Sequence, residues 1–451
     1  MLRDMVPEVP INVGVSTMAP PTLSDAYKVF TQRNVSKSPT FGGHEGCLRQ
    51  VQVAFREHRL DDAIALLKEM ERRTGRTPDV LSMLGQLHLL KHTREDTEQA
   101  LRYIRTARDL EPGDVSIAFS LAFAHIDVSD WTGAAAVLTE IIALTSQLEV
   151  QAGAYFFLAY VQMVGGLGEE AVATYRKAIR LNPDDPVAAL YLGKHLIDLA
   201  GVGPPEARGD RLEKALAVYE ELLERDPDQV TALVNSGFIL HSLQRFEESA
   251  EMARRAIALE PANAAAIVNL ASSTLNVARR REDRLLLQQS LKFYERAAVA
   301  LVEADAPAFF RAEVQHGLGL ALVLLYLGSE GEERRADFLT AAESSFREGL
   351  AIDAERADLY SSLALVATLR GDAYGAINLY KQSLARSPGN DMAHRNLEAL
   401  YSSMQASSAD RSASGLVEPS IKKVPRFGSA GEVVRLDDSF DEPLEEFGSY
   451  L

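Results

Sequence analysis

The stretch AVATYRKAIRLNPDDPVAALYLGKHL, residues 171–196, contains the pattern from which the fold is predicted. It begins with the small residue Ala171, which is followed by an aromatic residue and then by a second small residue. Pro183 comes next, and the apolar-small pair Leu192-Gly193 lies in the following segment. Small residues let two helices approach closely, and proline cannot continue a helix because it lacks a backbone N–H. The stretch therefore predicts the second helix of one antiparallel pair and the first helix of the next.

The same order of residue types recurs along the chain at intervals of about 34 residues. The clearest copies begin at Ala100, Ala171, Ala215, Ser249 and Ala376. A helix pair of this size cannot bury its apolar face alone, so neighbouring pairs must stack to form a continuous core. The period therefore predicts a repeating array of helix pairs and not one globular core.

These motifs resemble tetratricopeptide (TPR) repeats. The resemblance implies an all-α fold, a right-handed α-solenoid of about nine helix pairs with a capping helix. The units are expected to open near residues 44, 78, 115, 152, 186, 230, 264, 312 and 357. We expect a disordered arm at residues 1–43, the array at 44–406 and a disordered acidic tail at 407–451. Four units exceed the repeat length, and their extra residues are expected to form loops along one edge, at 91–99, 200–213, 278–286 and 328–338.

Composition and charge restrict the function. The net charge of −17 argues against a general nucleic-acid binder, which needs a basic face. Cys47 is the only cysteine, which excludes an intrachain disulfide and a multi-cysteine zinc site and is compatible with a reducing compartment. No signal peptide or membrane-spanning run is expected, so the predicted localisation is cytoplasmic. The histidines lack metal-ligand spacing and no phosphate loop or nucleophile motif occurs, so we expect no metal, no cofactor and no enzyme activity.

The resemblance implies that function lies on a concave surface lined by the first helix of each pair. Several aromatic residues at these positions predict an apolar strip, unless a second chain, a tail or a neighbouring turn covers it. Asn235 and Asn269 lie one repeat apart and resemble the asparagine ladder that holds the backbone of an extended peptide, although they could simply be exposed. The predicted groove residues are Phe119, Phe123, Phe156, Phe157, Tyr160, Tyr191, Lys194, Asn235, Phe238 and Asn269.

The sequence predicts a scaffold or adaptor that binds peptide segments or helices of other proteins. One alternative is a constitutive subunit of a large assembly, such as a ciliary cargo-coat or ubiquitin-ligase complex. Another is an enzyme-regulatory sensor whose own tail occupies the groove. His88 and His125 are predicted to be packing residues, and the arginines near the insertions are predicted to form a roughly neutral, solvated edge.

Overall fold

The computed structural model describes residues 45–91, 93–329 and 332–413. The predicted N-terminal arm and most of the predicted acidic tail lie outside these ranges. Within them the chain forms nineteen α-helices and no strand. The described residues fall into two compact units, which adjoin in sequence at Pro204 and Pro205 and are treated separately below.

The N-terminal unit contains nine helices, of which α1, α3, α5, α7 and α9 are the first helices of successive pairs. Their bounds are α1 Glu45–Arg56, α2 Leu60–Thr74, α3 Pro78–Leu89, α4 Arg94–Leu110, α5 Val115–Asp127, α6 Trp131–Leu144, α7 Leu148–Val164, α8 Gly168–Leu181 and α9 Pro186–Val202. Each helix packs against the next one in the chain.

The C-terminal unit contains the remaining ten described helices, in which α11, α13, α15 and α17 are first helices. Their bounds are α10 Pro205–Arg225, α11 Val230–Ser242, α12 Phe246–Leu259, α13 Ala264–Arg281, α14 Arg284–Glu303, α15 Ala308–Leu327, α16 Glu332–Ile352, α17 Ala357–Arg370, α18 Ala373–Arg386 and α19 Asp391–Ala413. Here too, consecutive helices pack against each other.

The small and large residues of the repeat pattern meet inside each helix pair. A Cβ added at Gly85 in α3 would lie 2.3 Å from Cγ1 of Ile104 in α4. A Cβ at Gly319 in α15 would lie 2.3 Å from the ring of Phe346 in α16. Both large residues are fully buried, as are the repeat-pattern residues Tyr175, Tyr219, Tyr294 and Tyr380. The predicted close packing of small against large residues is therefore confirmed.

The expectation that the insertions form loops is wrong. The extra residues mainly lengthen helices: α13 continues to Arg281, and α14 begins at Arg284. The Asp283 carboxylate caps α14 by accepting hydrogen bonds from the backbone N–H groups of Leu285 and Leu286. Arginine and leucine are good helix formers, so these segments extend a helix more readily than they form a loop. Helix α19 likewise runs to Ala413 and does not end near residue 406.

Helix α15 is long and apolar enough to cross a membrane by length and composition alone, and it is the one such helix within the described ranges. However, 67% of the apolar window is buried inside the protein. The helix packs against α14 and α16, and it carries the buried polar residues Glu313 and His316. Its apolar character is that of a core helix in a repeat array.

Candidate functional site

The first helices of the N-terminal unit lie side by side and form a continuous surface. The Gln86 amide in α3 donates a hydrogen bond to the Ser120 hydroxyl in α5, at 2.9 Å. The rings of Phe123 in α5 and Phe157 in α7 pack edge to face, with centroids 4.8 Å apart. Further along, the centroids of Phe156 in α7 and Tyr191 in α9 are 5.2 Å apart. We call the surface formed by α1, α3, α5, α7 and α9 the first-helix surface.

The aromatic residues of this surface differ in exposure. Phe119 and Phe123 are only 3% and 4% exposed, and Tyr191 is 5% exposed. The expectation that they form an exposed strip is wrong, because their rings fill the spaces between neighbouring helices. By contrast, Phe156, Phe157 and Tyr160 are half-buried and keep part of their surface accessible. Lys194 is half-buried, and its ammonium group is 3.0 Å from the Asp198 carboxylate.

The tyrosines around α7 lie in an apolar environment. Burial raises the pKa of Tyr160, and it also raises the pKa values of Tyr175 and Tyr191. All three phenols are therefore neutral across the physiological pH range. The Tyr175 and Tyr191 hydroxyls find no hydrogen-bond partner within the described part of the chain. This part of the surface is suited to apolar contacts.

A small apolar cleft with a cavity volume of about 20 Å³ opens between α1 and α3 on the same surface. Gln52 and Gln86, which help to line it, occupy the same repeat position as Phe123, Tyr160 and Lys194. The sequence prediction missed the cleft because the groove positions were counted only from the unit at residue 115. Counting the same positions from residues 44 and 78 would have found it. The cleft is lined by Val51, Gln52, Phe55, Leu67, Met83, Gln86, Leu87 and Leu90.

The two asparagines of the C-terminal unit are not exposed on a groove. Asn235 is 1% exposed and Asn269 is 0% exposed. The Asn235 amide donates a hydrogen bond to the Tyr219 hydroxyl at 3.0 Å, and the Asn269 amide donates one to the Val234 carbonyl at 2.9 Å. Phe238 is also buried, at 9% exposure. The expected exposure of these three residues is therefore wrong. The Asn235 and Asn269 amides connect neighbouring helices inside the unit.

One protein-family model matches a segment of the chain in each unit. The family model described as "Tetratricopeptide repeat" matches residues 119–186 and 206–266. These segments contain the fully buried repeat-pattern residues Tyr175 and Tyr219. The chain contains tetratricopeptide repeats in both units. TPR repeats form protein-interaction scaffolds, and the TPR fold is generally not catalytic.

One curated relative and two solved structures show the extent of the similarity. "Cellulose synthase 2 operon protein C" of Komagataeibacter xylinus is 31% identical over 160 residues, which are 36% of this chain and 12% of that protein. A TPR protein from Parabacteroides merdae is 13% identical with a TM-score of 0.44, over 64% of this chain and 98% of its own. YrrB, described as a TPR protein with an unusual peptide-binding site, is 19% identical with a TM-score of 0.34. The match covers 50% of this chain and 97% of YrrB. The family assignment rests on the family model and on the helix packing.

The histidines at recurring TPR positions contact the second helices of their own pairs. His88 Nδ1 lies 2.8 Å from the Asp96 carboxylate, and the imidazole stacks on Tyr103. His125 Nδ1 lies 2.7 Å from the carboxylate of Asp130, which caps α6. These contacts are those of packing residues. Within the described ranges, no group of three or more His, Cys, Asp or Glu residues could hold a metal ion.

The arginines near the TPR insertions contact neighbouring polar groups. Arg281 pairs with Glu247 at 2.7 Å, and Arg245 pairs with Glu248 at 2.6 Å. The Arg280 guanidinium donates to the backbone carbonyl and the side chain of Gln244. These interactions are those of the solvated, roughly neutral edge that the interleaved charges predict.

Proposed function

We propose that this TPR protein is a non-enzymatic scaffold that binds a segment of a partner protein on the first-helix surface of its N-terminal unit. The observation that supports the proposal is the partial exposure of Phe156, Phe157 and Tyr160. Their neighbours Phe119, Phe123 and Tyr191 are buried between helices. The partly exposed rings therefore lie beside aromatic residues that are already buried between helices.

Such rings are suited to anchoring a partner. Aromatic side chains offer a large contact area and are enriched at the residues that contribute most to binding energy. Phe157 is held by edge-to-face contacts with Phe123 and Phe156, so binding need not restrict a freely rotating side chain. The neutral Tyr160 phenol adds a hydrogen-bonding group at the edge of an apolar contact.

The proposed site does not include the asparagine pair. The side chains of Asn235 and Asn269 are buried, and each amide donates a hydrogen bond within the C-terminal unit, so they are not available to hold the backbone of a peptide. Selectivity would instead come from the partner side chains that fit against the rings of α7.

The proposed location of the protein is the cytoplasm, as predicted from the sequence, and fractionation of the tagged full chain tests it.

Comparative affinity capture tests the proposed function. The full chain, a Tyr160→Glu variant and a Tyr374→Glu variant are used as baits, and the bound proteins are quantified by mass spectrometry. Tyr374 is a matched control because it is 79% exposed and lies on the second helix α18. We expect the proteins captured by the full chain to be lost with Tyr160→Glu and kept with Tyr374→Glu. Equal capture by all three folded baits would contradict the proposal.

A further inference from the structure

We propose that residues 23–33 of the N-terminal arm dock as a short helix on α7 and occupy the first-helix surface of the N-terminal unit until a partner displaces them. The segment lies outside the described ranges, so the argument uses its sequence and the surface that would receive it. The inference deepens the proposed function and rests on it for the partner that competes for the same rings.

The segment has the residue pattern of an amphipathic helix. Its apolar residues recur at i, i+3, i+4 and i+7 and would share one helical face: Leu23, Ala26, Tyr27 and Phe30. Thr22 stands immediately before the segment, where a hydroxyl can cap the first turn of a helix. So short a helix is marginal in water by itself, and we therefore expect it to form on a surface that buries its apolar face.

Helix α7 offers an apolar surface of matching length. We call Phe156, Phe157, Tyr160, Met163 and Val164 the α7 stripe; the first four are half-buried, and Val164 is 42% exposed. Phe156 and Met163 are seven residues apart, which is about 10 Å along the helix axis. The apolar face of residues 23–30 would have the same length. Docking would therefore remove apolar side chains of both helices from water in one contact.

The α7 stripe favours a helical occupant over an extended one. The backbone N–H and C=O groups of an extended segment lose water on an apolar surface, so they need hydrogen-bonding groups along their path. The stripe supplies one such side-chain group, the Tyr160 hydroxyl. A helix forms its backbone hydrogen bonds internally and needs none from the surface.

An acidic edge borders the surface at the N-terminal ends of α5, α7 and α9. Residues 111–115, 145–149 and 182–185 contain no lysine or arginine, and their acidic residues are Glu111, Asp114, Glu149, Asp184 and Asp185. Asp114 and Asp185 cap α5 and α9. Arg108 approaches the edge, where it pairs with Glu140 and donates to the backbone carbonyl of Asp114. The edge therefore attracts basic groups.

The charges of the segment determine the direction in which it would lie. Residues 23–37 contain one acidic residue, Asp25, and three basic residues, Lys28, Arg33 and Lys37. Two of these cations lie at or just beyond the C-terminal end of the segment. The segment therefore runs antiparallel to α7, with Arg33 near the acidic edge and opposite charges facing each other.

The chain between the segment and α1 is long enough for this placement. Packed helices are spaced about 10 Å apart, so α7 is about 30 Å from α1 across α3 and α5. The antiparallel direction places Arg33 on the edge where α1 begins at Glu45. The chain from Arg33 to Glu45 can span about 40 Å when extended. A tether of this length gives an effective concentration of about 1 mM at the stripe.

Intramolecular photo-crosslinking in the full chain tests the placement. Phe30→p-benzoylphenylalanine puts the photoreactive group on the apolar face, and Gln32→p-benzoylphenylalanine is the matched control on the opposite face of the predicted helix. We expect position 30 to label the peptide that contains residues 153–164, at monomer mass and at least fivefold more than position 32. No labelling of that peptide from position 30 would overturn the proposal. Labelling only in crosslinked dimers would assign the surface to a second copy and would also overturn it.

A peptide with the sequence of residues 21–38, labelled with fluorescein, tests the competition. Its binding to the unsubstituted full chain is compared with binding to a full chain that carries Tyr27→Glu and Phe30→Glu, whose own segment has lost its apolar face. We expect fluorescence polarisation to show at least tenfold tighter binding to the double variant, because its stripe is vacant. Added salt should weaken this binding. Equal affinity for both proteins would overturn the intramolecular occupancy.

Matched variants locate the peptide on the surface. A full chain with Ser24→Glu and Gln32→Glu gains the same charge on the polar face of the segment, and it should bind the peptide within threefold of the unsubstituted chain. Adding Tyr160→Glu to the Tyr27→Glu, Phe30→Glu chain should weaken peptide binding at least tenfold, whereas adding Tyr374→Glu should not. Circular dichroism verifies the fold of each protein. Unchanged binding after Tyr160→Glu would overturn the assignment to α7.

The results separate this inference from the proposed function. If partner capture depends on Tyr160 but position 30 does not label α7, the proposed function stands and the occupancy by residues 23–33 fails. If position 30 labels α7 while Tyr160→Glu leaves partner capture unchanged, the occupancy stands and the proposed function fails.

Discussion

The side-chain amide of Asn269 in α13 donates a hydrogen bond to the backbone carbonyl of Val234 in α11, at 2.9 Å. The two residues belong to adjacent repeats, and Asn269 is fully buried. The recurring asparagine therefore connects the first helices of the C-terminal unit. A poor helix former is tolerated here because its amide forms a contact between helices that an apolar residue could not form.

We expect Asn269→Ala to lower the free energy of unfolding by about 1–2 kcal/mol, because a buried hydrogen bond is lost. Asn378→Ala is the control, since Asn378 is exposed on α18 and alanine is the better helix former. Urea unfolding followed by circular dichroism measures both effects. Equal stability of the two variants would contradict the structural role of Asn269.

Substitution of Gly85 tests the packing between the helices of one pair. Gly85→Ala places a methyl group against Ile104, so we expect a loss of about 1–3 kcal/mol in unfolding free energy. Gly153→Ala is the matched control, because Gly153 lies in α7 with no atom within 4 Å of an added Cβ. That substitution should stabilise the protein by up to about 1 kcal/mol through helix propensity. Thermal unfolding distinguishes the two results, and destabilisation by Gly153→Ala alone would contradict the packing.

A buried charge cluster joins α15 to α17. The Arg356 guanidinium lies 2.5 Å from the Glu313 carboxylate, and it also pairs with Asp358. Arg356→Met leaves Glu313 buried without a cation, so we expect a loss of about 3–5 kcal/mol. Adding Glu313→Gln to that variant should restore part of the lost unfolding free energy, because the unpaired charge is removed. Urea unfolding of both variants measures the recovery, and a double variant less stable than Arg356→Met would contradict the account.

His316 makes the stability of the C-terminal unit depend on pH. Burial lowers the pKa of this histidine from its ordinary value of 6.5 to about 4, although nearby Asp358 opposes the shift. Between these pH values the unfolded chain binds a proton that the folded chain does not. Stability should therefore fall as the pH decreases from 6.5 to 4, by up to about 3 kcal/mol.

The pH profile of His316→Gln isolates this contribution. The Ser362 hydroxyl lies 2.8 Å from His316 Nε2, and glutamine keeps a hydrogen-bonding group that can contact it. Burial also raises the pKa of Glu313, which acts in the opposite direction and is present in both proteins. The difference between the two stability profiles should decrease towards pH 4. Parallel profiles between pH 4 and 6.5 would contradict the shifted pKa of His316.

The helix pairs could be predicted from sequence because their determinants are local. Gly319 and Phe346 lie within one repeat, and their small-large pairing is visible without knowledge of neighbouring units. The exposure of the site residues could not be predicted in the same way. Phe123 is buried because Phe157 of the next repeat covers it, and Asn269 is buried because it contacts Val234 of the preceding repeat. These contacts depend on the spacing between stacked helices, which the repeat period does not specify.

Photo-crosslinking from residue 160 tests the central claim most directly. Tyr160→p-benzoylphenylalanine is introduced in the full chain, with Tyr374→p-benzoylphenylalanine as the control, and both proteins are irradiated in the presence of captured partners. We predict covalent partner adducts from position 160 and none from position 374. Adducts from position 374 with none from position 160 would contradict binding on the first-helix surface.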